Sequence, residues 1–104
     1  MDNMTRFSND VPNFFNGMMD LLKAAGKEGA LSSKQKELSA VTVSAVIKCV
    51  PCLKNHVKKS LSVGATREEV LEAAAYGTIF GGAPSFVFLR ENLDILYGIL
   101  DAAA

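Results

Sequence analysis

Apolar side chains recur at helical spacing along this sequence, and that spacing constrains the fold more than any other feature. Phe14, Met18, Leu21 and Leu22 form one such stripe, because residues three and four apart share a helix face. No segment alternates apolar and polar residues with a period of two between hairpin turns. We therefore predict an all-α protein, folded as a compact bundle.

Capping signals and helix breakers divide the pattern into about five helices. Ser32 with Gln35 and Thr66 with Glu69 match the capping box that opens a helix. Pro51 suits a first helical turn and disfavours helical geometry at the residue before it. The predicted helices run from an N-cap at Asn9 or Asp10 to Gly26, from Ser32 to about Lys48, from Pro51 to a C′ residue at Gly64, from Arg67 to Phe80, and from about Ser85 to Asp101.

The composition is that of one globular domain covering residues 1–104. Apolar residues make up 49% of the chain and charged residues 21%, far from the signature of disorder. Eleven basic and eleven acidic side chains cancel, which disfavours nucleic acid as a partner. The mean hydropathy is positive, and so small a domain hides apolar surface poorly, so we expect a homo-oligomer.

The location of the protein is predicted from two features. The apolar stretches are shorter than the roughly 20 residues that cross a bilayer, so we expect no membrane association. The first ten residues, MDNMTRFSND, lack the basic and apolar regions of a secretory signal. We expect a cytoplasmic protein, where a cysteine pair is more often catalytic or metal-binding than structural.

Both cysteines of the chain lie in one motif, Cys49-Val50-Pro51-Cys52. If Pro51 opens a helix, Cys52 lies in its first turn, where free backbone N–H groups and the helix dipole favour thiolate over thiol. His56, the only histidine, follows Cys52 by four residues and shares its helix face. Its imidazole is suited to move a thiol proton near neutral pH.

The cysteine pair admits three other interpretations. A thioredoxin-type redox motif requires a βαβ context, which this chain lacks. Zinc could be bound by Cys49, Cys52, His56 and a carboxylate, although structural zinc sites usually draw their ligands from two paired clusters. The cysteines could also pack simply as small buried apolar residues.

The segment from Glu37 through the CxxC motif and His56 to Gly64-Ala65-Thr66-Arg67-Glu68-Glu69, closing with Gly81-Gly82-Ala83-Pro84, resembles a known family. It is similar to the carboxymuconolactone decarboxylase-like superfamily, specifically its alkylhydroperoxidase D-like branch. The resemblance spans about half of the chain. It implies an all-helical fold, assembly into homotrimers or homohexamers, and a thiol-dependent peroxidase or disulfide reductase. We expect the enzyme to have no cofactor or metal of its own.

The resemblance also implies roles for four residues. Cys52 would attack the peroxide, Cys49 would resolve the product as a disulfide, and His56 with Glu37 would relay protons. Pro51 stands where the best-studied peroxidases have a further histidine, which implies a shorter relay. On one continuous helix Glu37 would lie about 120° around from Cys49, so its participation requires a chain break or a tertiary approach. From the residues alone, Glu37 is a first-turn glutamate that interacts with the helix dipole.

We therefore expect an enzyme that acts on a peroxide or disulfide and is regenerated by an external dithiol. Two alternatives are a non-redox enzyme of the carboxymuconolactone decarboxylase type and a redox-sensing module whose disulfide alters partner binding. The Gly81 to Pro84 segment is either a corner or part of an access channel. Tyr76 faces either the site or the core.

Overall fold

A computed structural model describes residues 1–103 and contains only helices as regular structure within that range. The six helices are α1 (Asn3–Asp10), α2 (Pro12–Gly26), α3 (Ser33–Ile47), α4 (Val50–Ser62), α5 (Arg67–Glu91) and α6 (Leu93–Ala102). The prediction of an all-α protein is confirmed. In the described part of the chain, no helix combines the length and the apolar character that crossing a membrane requires.

The N-terminal helix α1 is the element that the sequence pattern did not reveal. Its N-cap is Asp2, whose side chain accepts a hydrogen bond from the backbone N–H of Thr5 at 2.9 Å. That bond lowers the pKa of the Asp2 carboxyl, because it stabilises the ionised form. Val11 leaves helical geometry (φ −133°, ψ 64°), and Pro12 then opens α2. The predicted start at Asn9 or Asp10 therefore lies at the end of α1.

The hydrophobic core is formed by α3, α4, α5 and α6. Its buried apolar side chains are Val41, Ala45, Leu53, Val57, Ala65, Val70, Ala74, Phe88, Leu96 and Leu100. In contrast, α1 and α2 contain no buried residue. Within residues 1–103, α1 contacts only α2, and α2 contacts only α1 and α3. The first two helices thus form an arm on a four-helix body.

The helices α3 and α5 run side by side in the same direction, in close contact. Lys34 forms an ion pair with Glu69 at 2.9 Å near their N-termini. Further along, the hydroxyl of Thr42 donates to the carbonyl of Ala73 at 2.7 Å. Gly77 lets the two backbones approach, because a Cβ atom there would lie 2.7 Å from the Thr42 carbonyl oxygen and 2.8 Å from the Ala45 Cβ.

Both predicted capping boxes are present, with reciprocal bonds between Ser32 and Gln35 and between Thr66 and Glu69. The backbone N–H of Thr66, followed by the ammonium of Lys34, lowers the pKa of Glu69. Glu69 therefore stabilises the start of α5 above the pKa that it has in the unfolded chain. This contribution disappears as the pH falls through its lower pKa in the folded protein.

The Gly81 to Pro84 segment forms a sharp kink inside α5. Gly82 adopts φ 68° and ψ −158°, a conformation open to glycine but not to residues with a Cβ atom. The helix axis changes direction there and continues to Glu91. The predicted last helix is interrupted at Asn92, whose side-chain amide donates to the Phe88 carbonyl at 2.7 Å. Asn92 thereby separates α5 from α6.

The α3–α5 contact generates a stability prediction for Gly77→Ala. The added methyl meets a backbone carbonyl and a buried side chain, so we expect a loss of about 1–3 kcal/mol from the free energy of unfolding. Gly98→Ala in α6 is the control, because its Cβ would meet nothing within 4 Å, and it should be neutral or gain up to about 1 kcal/mol. Urea unfolding of both variants measures the difference, and equal stabilities would contradict the proposed close approach.

Candidate active site

The CxxC motif lies at a reversal of the chain between α3 and α4. Lys48 adopts the left-handed conformation (φ 56°, ψ 51°), and the N–H of Cys49 donates to the carbonyl of Ser44 at 3.1 Å. This arrangement is the Schellman motif that ends many helices, with lysine at the position where glycine is usual. Because the chain turns within two residues, α4 starts directly beside the end of α3.

The two cysteines form a disulfide, and their Cα atoms are 5.3 Å apart. Cys49 is the N-cap of α4, and its sulfur accepts a hydrogen bond from the N–H of Cys52 at 3.3 Å. Helix α4 begins at Val50, one residue earlier than predicted, and this changes which sulfur the helix start favours. The backbone donor points at Cys49, whereas the sequence led us to expect the larger effect at Cys52.

His56 lies one turn after Cys52 on α4 and is hydrogen-bonded to Glu37 of α3, with Nδ1 and Oε2 2.7 Å apart. Their side chains are 29% and 15% exposed, so water screens the pair only in part. An ionised carboxylate only accepts hydrogen bonds, so His56 Nδ1 donates when the imidazole is neutral. Nε2 is then left with its lone pair and can take a proton.

The structure thus brings Glu37 and His56 together, by the tertiary approach that the sequence left open. The break between α3 and α4 removes the 120° offset that one continuous helix would impose. Glu37 contacts the imidazole. The carboxylate has the position from which carboxylates commonly orient a histidine and fix its tautomer.

A cleft of about 330 Å³ lies beside the His56–Glu37 pair. It is lined by Leu22, Ala25, Gly26, Leu31, Lys36, Glu37, Ser39, Ala40, His56 and Lys59. One wall belongs to α2, which Lys36 holds in place. The Lys36 ammonium donates to the carbonyls of Ala25 at 2.9 Å and Lys27 at 2.7 Å, at the end of α2 where carbonyls lack helical partners. The sequence pattern gave no signal for this role of Lys36.

Tyr76 and the Gly81 to Pro84 segment lie outside this cleft. Tyr76 is 56% exposed and packs edge-on against Phe80, with ring centroids 5.1 Å apart, so it faces neither the cleft nor the core. The Gly81 to Pro84 segment is a kink and lines no part of the cleft, which favours the corner over the channel.

The geometry also bears on the alternative interpretations of the cysteines. Among residues 1–103, no three His, Cys, Asp or Glu side chains are grouped so that they could hold a metal ion. The cysteines are half-buried and bonded to each other, unlike two independent apolar core residues.

The chain is similar in sequence to known proteins of one family. The model of the carboxymuconolactone decarboxylase family matches residues 12–92. Protein 4 in the cox locus of Paracoccus denitrificans is 38% identical over 76 residues, which are 73% of this chain and 68% of that protein. The chain belongs to the carboxymuconolactone decarboxylase family.

Two solved structures have the same fold as this chain. A carboxymuconolactone decarboxylase family protein from Legionella pneumophila, crystallised in its apo form, is 32% identical and superposes with a TM-score of 0.82 over 93% of this chain and 87% of its own. A family protein from Thermotoga maritima, described with a possible role in antioxidative response, is 30% identical and gives a TM-score of 0.69 over 89% and 88% of the two chains. The fold around the site is therefore that of the family.

The anchoring role of Lys36 generates a prediction for the cleft. Lys36→Met keeps the aliphatic stem but removes the ammonium from the carbonyls of Ala25 and Lys27, so the last turn of α2 should open more often. We expect faster amide hydrogen exchange in residues 22–27. Lys34→Met, which removes an exposed ion pair on the same helix, should leave that segment unchanged. Equal exchange in the two variants would contradict the anchor.

Proposed function

We propose that this protein is a thiol-dependent oxidoreductase that reduces a peroxide or a disulfide and is regenerated by an external dithiol. The observation that supports the proposal is the placement of His56, hydrogen-bonded to Glu37, one helical turn after the disulfide-bonded cysteine pair. The possible antioxidative role of the Thermotoga maritima relative agrees with this chemistry. The resemblance to the alkylhydroperoxidase D-like branch gives the order of the steps.

In the first step, His56 Nε2 takes the proton of the Cys52 thiol, and the thiolate attacks the peroxide. An S–O bond forms as the O–O bond breaks, and the leaving alkoxide takes the proton from His56 to depart as an alcohol or water. Cys52 is oxidised to a sulfenic acid, and the peroxide is reduced. Glu37 stabilises the imidazolium that exists between the two proton transfers.

In the second step, Cys49 attacks the sulfur of the Cys52 sulfenic acid. An S–S bond forms, and the hydroxyl leaves as water after it receives a proton. The hydrogen bond from the Cys52 N–H to the Cys49 sulfur favours thiolate at the attacking position. Each cysteine therefore has its own activating group, His56 for Cys52 and the helix start for Cys49.

In the third step, an external dithiol reduces the Cys49–Cys52 disulfide. One of its thiolates forms a mixed disulfide with the protein, and its second thiolate displaces the protein thiolate. The two protein thiols are restored, and the reductant leaves as a disulfide. When a small disulfide is the substrate, the same exchange runs in the opposite direction and reduces that substrate.

The cysteine roles are tested by single serine variants. The reduced wild-type protein should lose two thiols per chain after peroxide treatment, whereas Cys52→Ser should lose none rapidly and fall to the background rate of peroxide consumption. Cys49→Ser should form a sulfenic acid at Cys52 that a dimedone-type reagent traps, because no resolving thiol remains. Thiol titration and mass spectrometry measure both. Peroxide consumption by Cys52→Ser at the wild-type rate would refute the assignment.

The proton relay is tested by His56→Gln and Glu37→Gln. Loss of the base should lower turnover by roughly 10²–10⁴-fold, while loss of the orienting carboxylate should lower it by roughly 10–100-fold. Glu68→Gln removes an exposed carboxylate from α5 and serves as the control with unchanged turnover. If Glu37→Gln matches this control, the hydrogen bond to His56 has no role in turnover.

A further inference from the structure

The cleft beside His56 contains a lysine that the proposed reaction does not use. Lys59 follows His56 by three residues on α4, so the two side chains lie on the same face of that helix. Both residues line the cleft. Within the part of the chain that the structure describes, Lys59 forms no ion pair. Its ammonium is therefore available to an anion that enters the cleft.

The cleft has an excess of positive charge. Its charged lining residues, apart from the titratable His56, are Lys36, Lys59 and Glu37. The Glu37 carboxylate is already engaged by the imidazole at 2.7 Å. The Lys36 ammonium donates to two backbone carbonyls, which carry no net charge and leave its positive charge uncompensated. Two cations thus share the cleft with one carboxylate, which favours an anionic ligand.

The distribution of charge along the chain extends this excess to the surface around the cysteines. The chain is neutral as a whole, yet no Asp or Glu lies between Glu37 and Glu68. Four exposed lysines lie in that segment, namely Lys48, Lys54, Lys58 and Lys59. The region that contains the CxxC motif and α4 is therefore basic and attracts anions from solution.

The rest of the cleft is largely apolar. Leu22 and Ala25 of α2, Leu31 of the following loop and Ala40 of α3 line it. Its volume of about 330 Å³ lies at the lower end of the roughly 300–1,000 Å³ that is typical of small-molecule sites. The cleft therefore suits a small molecule with an apolar body. A single free ammonium balances one negative charge, so the anionic group is a monoanion such as a carboxylate.

The order of the side chains along α4 gives the orientation of such a molecule. Cys52, His56 and Lys59 lie on successive turns of one helix face, and the helix rises about 10.5 Å from the first to the last. A peroxide or disulfide bond that meets Cys52 and His56 therefore leaves Lys59 to the other end of the molecule. The carboxylate keeps its charge throughout the reaction, because the bond that breaks lies at the opposite end.

We propose that the cleft selects a substrate with a carboxylate at one end, an apolar body, and a peroxide or disulfide bond at the other end, and that Lys59 binds the carboxylate. The substrate class rests on the function proposed above, whereas carboxylate binding does not. Lys59 determines specificity and takes no part in bond breaking. Its removal should therefore raise KM for the anionic substrate and leave kcat unchanged.

Carboxylate binding is measured on the full-length protein in its disulfide form, with no peroxide or reductant present. The probes are para-isopropylbenzoate and para-isopropylbenzamide, which have the same shape and differ in charge. NMR titration, followed by the His56 signals, should show that the benzoate binds roughly two- to fivefold more tightly at low salt, because water screens the exposed Lys59 in part. Added NaCl should remove that preference without affecting the amide.

Lys59→Met should abolish the preference for the benzoate. The matched control is Lys58→Met, which removes the same charge from the adjacent exposed position, outside this cleft, and should retain the preference. Equal affinity of the wild type for the two probes, or equal losses in the two variants, would overturn the role of Lys59. The salt dependence of the wild type keeps the test decisive if Lys59→Met does not fold.

The substrate class is measured with cumene hydroperoxide and its para-carboxylate. The wild type and Lys58→Met should have a kcat/KM roughly two- to fivefold higher for the carboxylate, through KM, and Lys59→Met should treat the two peroxides alike. Equal kcat/KM values in an active wild type would overturn the substrate class. Benzoate binding through Lys59 in a protein that consumes neither peroxide would refute the peroxidase function and leave carboxylate binding supported.

Discussion

The chain reversal at Lys48 and Cys49 is the constraint on which the rest of the site depends. It ends α3 and starts α4 within two residues, so that two side chains 19 positions apart, Glu37 and His56, meet at hydrogen-bond distance. A non-glycine residue in left-handed geometry costs about 1–2 kcal/mol. The Schellman bond from Cys49 to Ser44 and the packing of α4 against α3 offset that cost. The same reversal leaves Cys49 as the helix cap, so one turn fixes both the cysteine pair and the His56–Glu37 hydrogen bond.

The parts of the fold that sequence could predict are those with local causes. Both capping boxes join residues three positions apart, and both were found as predicted. The pairing of Glu37 with His56 has a tertiary cause, so only a family resemblance suggested it. Asn92 separates α5 from α6, although the apolar residues keep helical spacing on both sides of it. That spacing alone does not show where one helix ends and the next begins. Helix α1, which buries no residue within the chain, was not predicted.

The arm and the body are related through the cleft. Lys36 stands directly before Glu37 on α3, and its ammonium holds the end of α2 while the neighbouring carboxylate holds His56. Adjacent residues on one helix thus fix two different walls of the same cleft. The end of α2 and the imidazole are therefore held from neighbouring positions of one helix. Family membership accounts for the fold.

The hydrogen bond from Cys52 N–H to Cys49 Sγ has an energetic consequence for the disulfide. A sulfur in a disulfide is a weak acceptor, whereas a thiolate at a helix start is a strong one, so the bond strengthens when the pair is reduced. Whatever stabilises the dithiol state makes the corresponding disulfide a better oxidant. The Cys49–Cys52 disulfide differs in this respect from a structural disulfide, because reducing it strengthens the N-cap of α4.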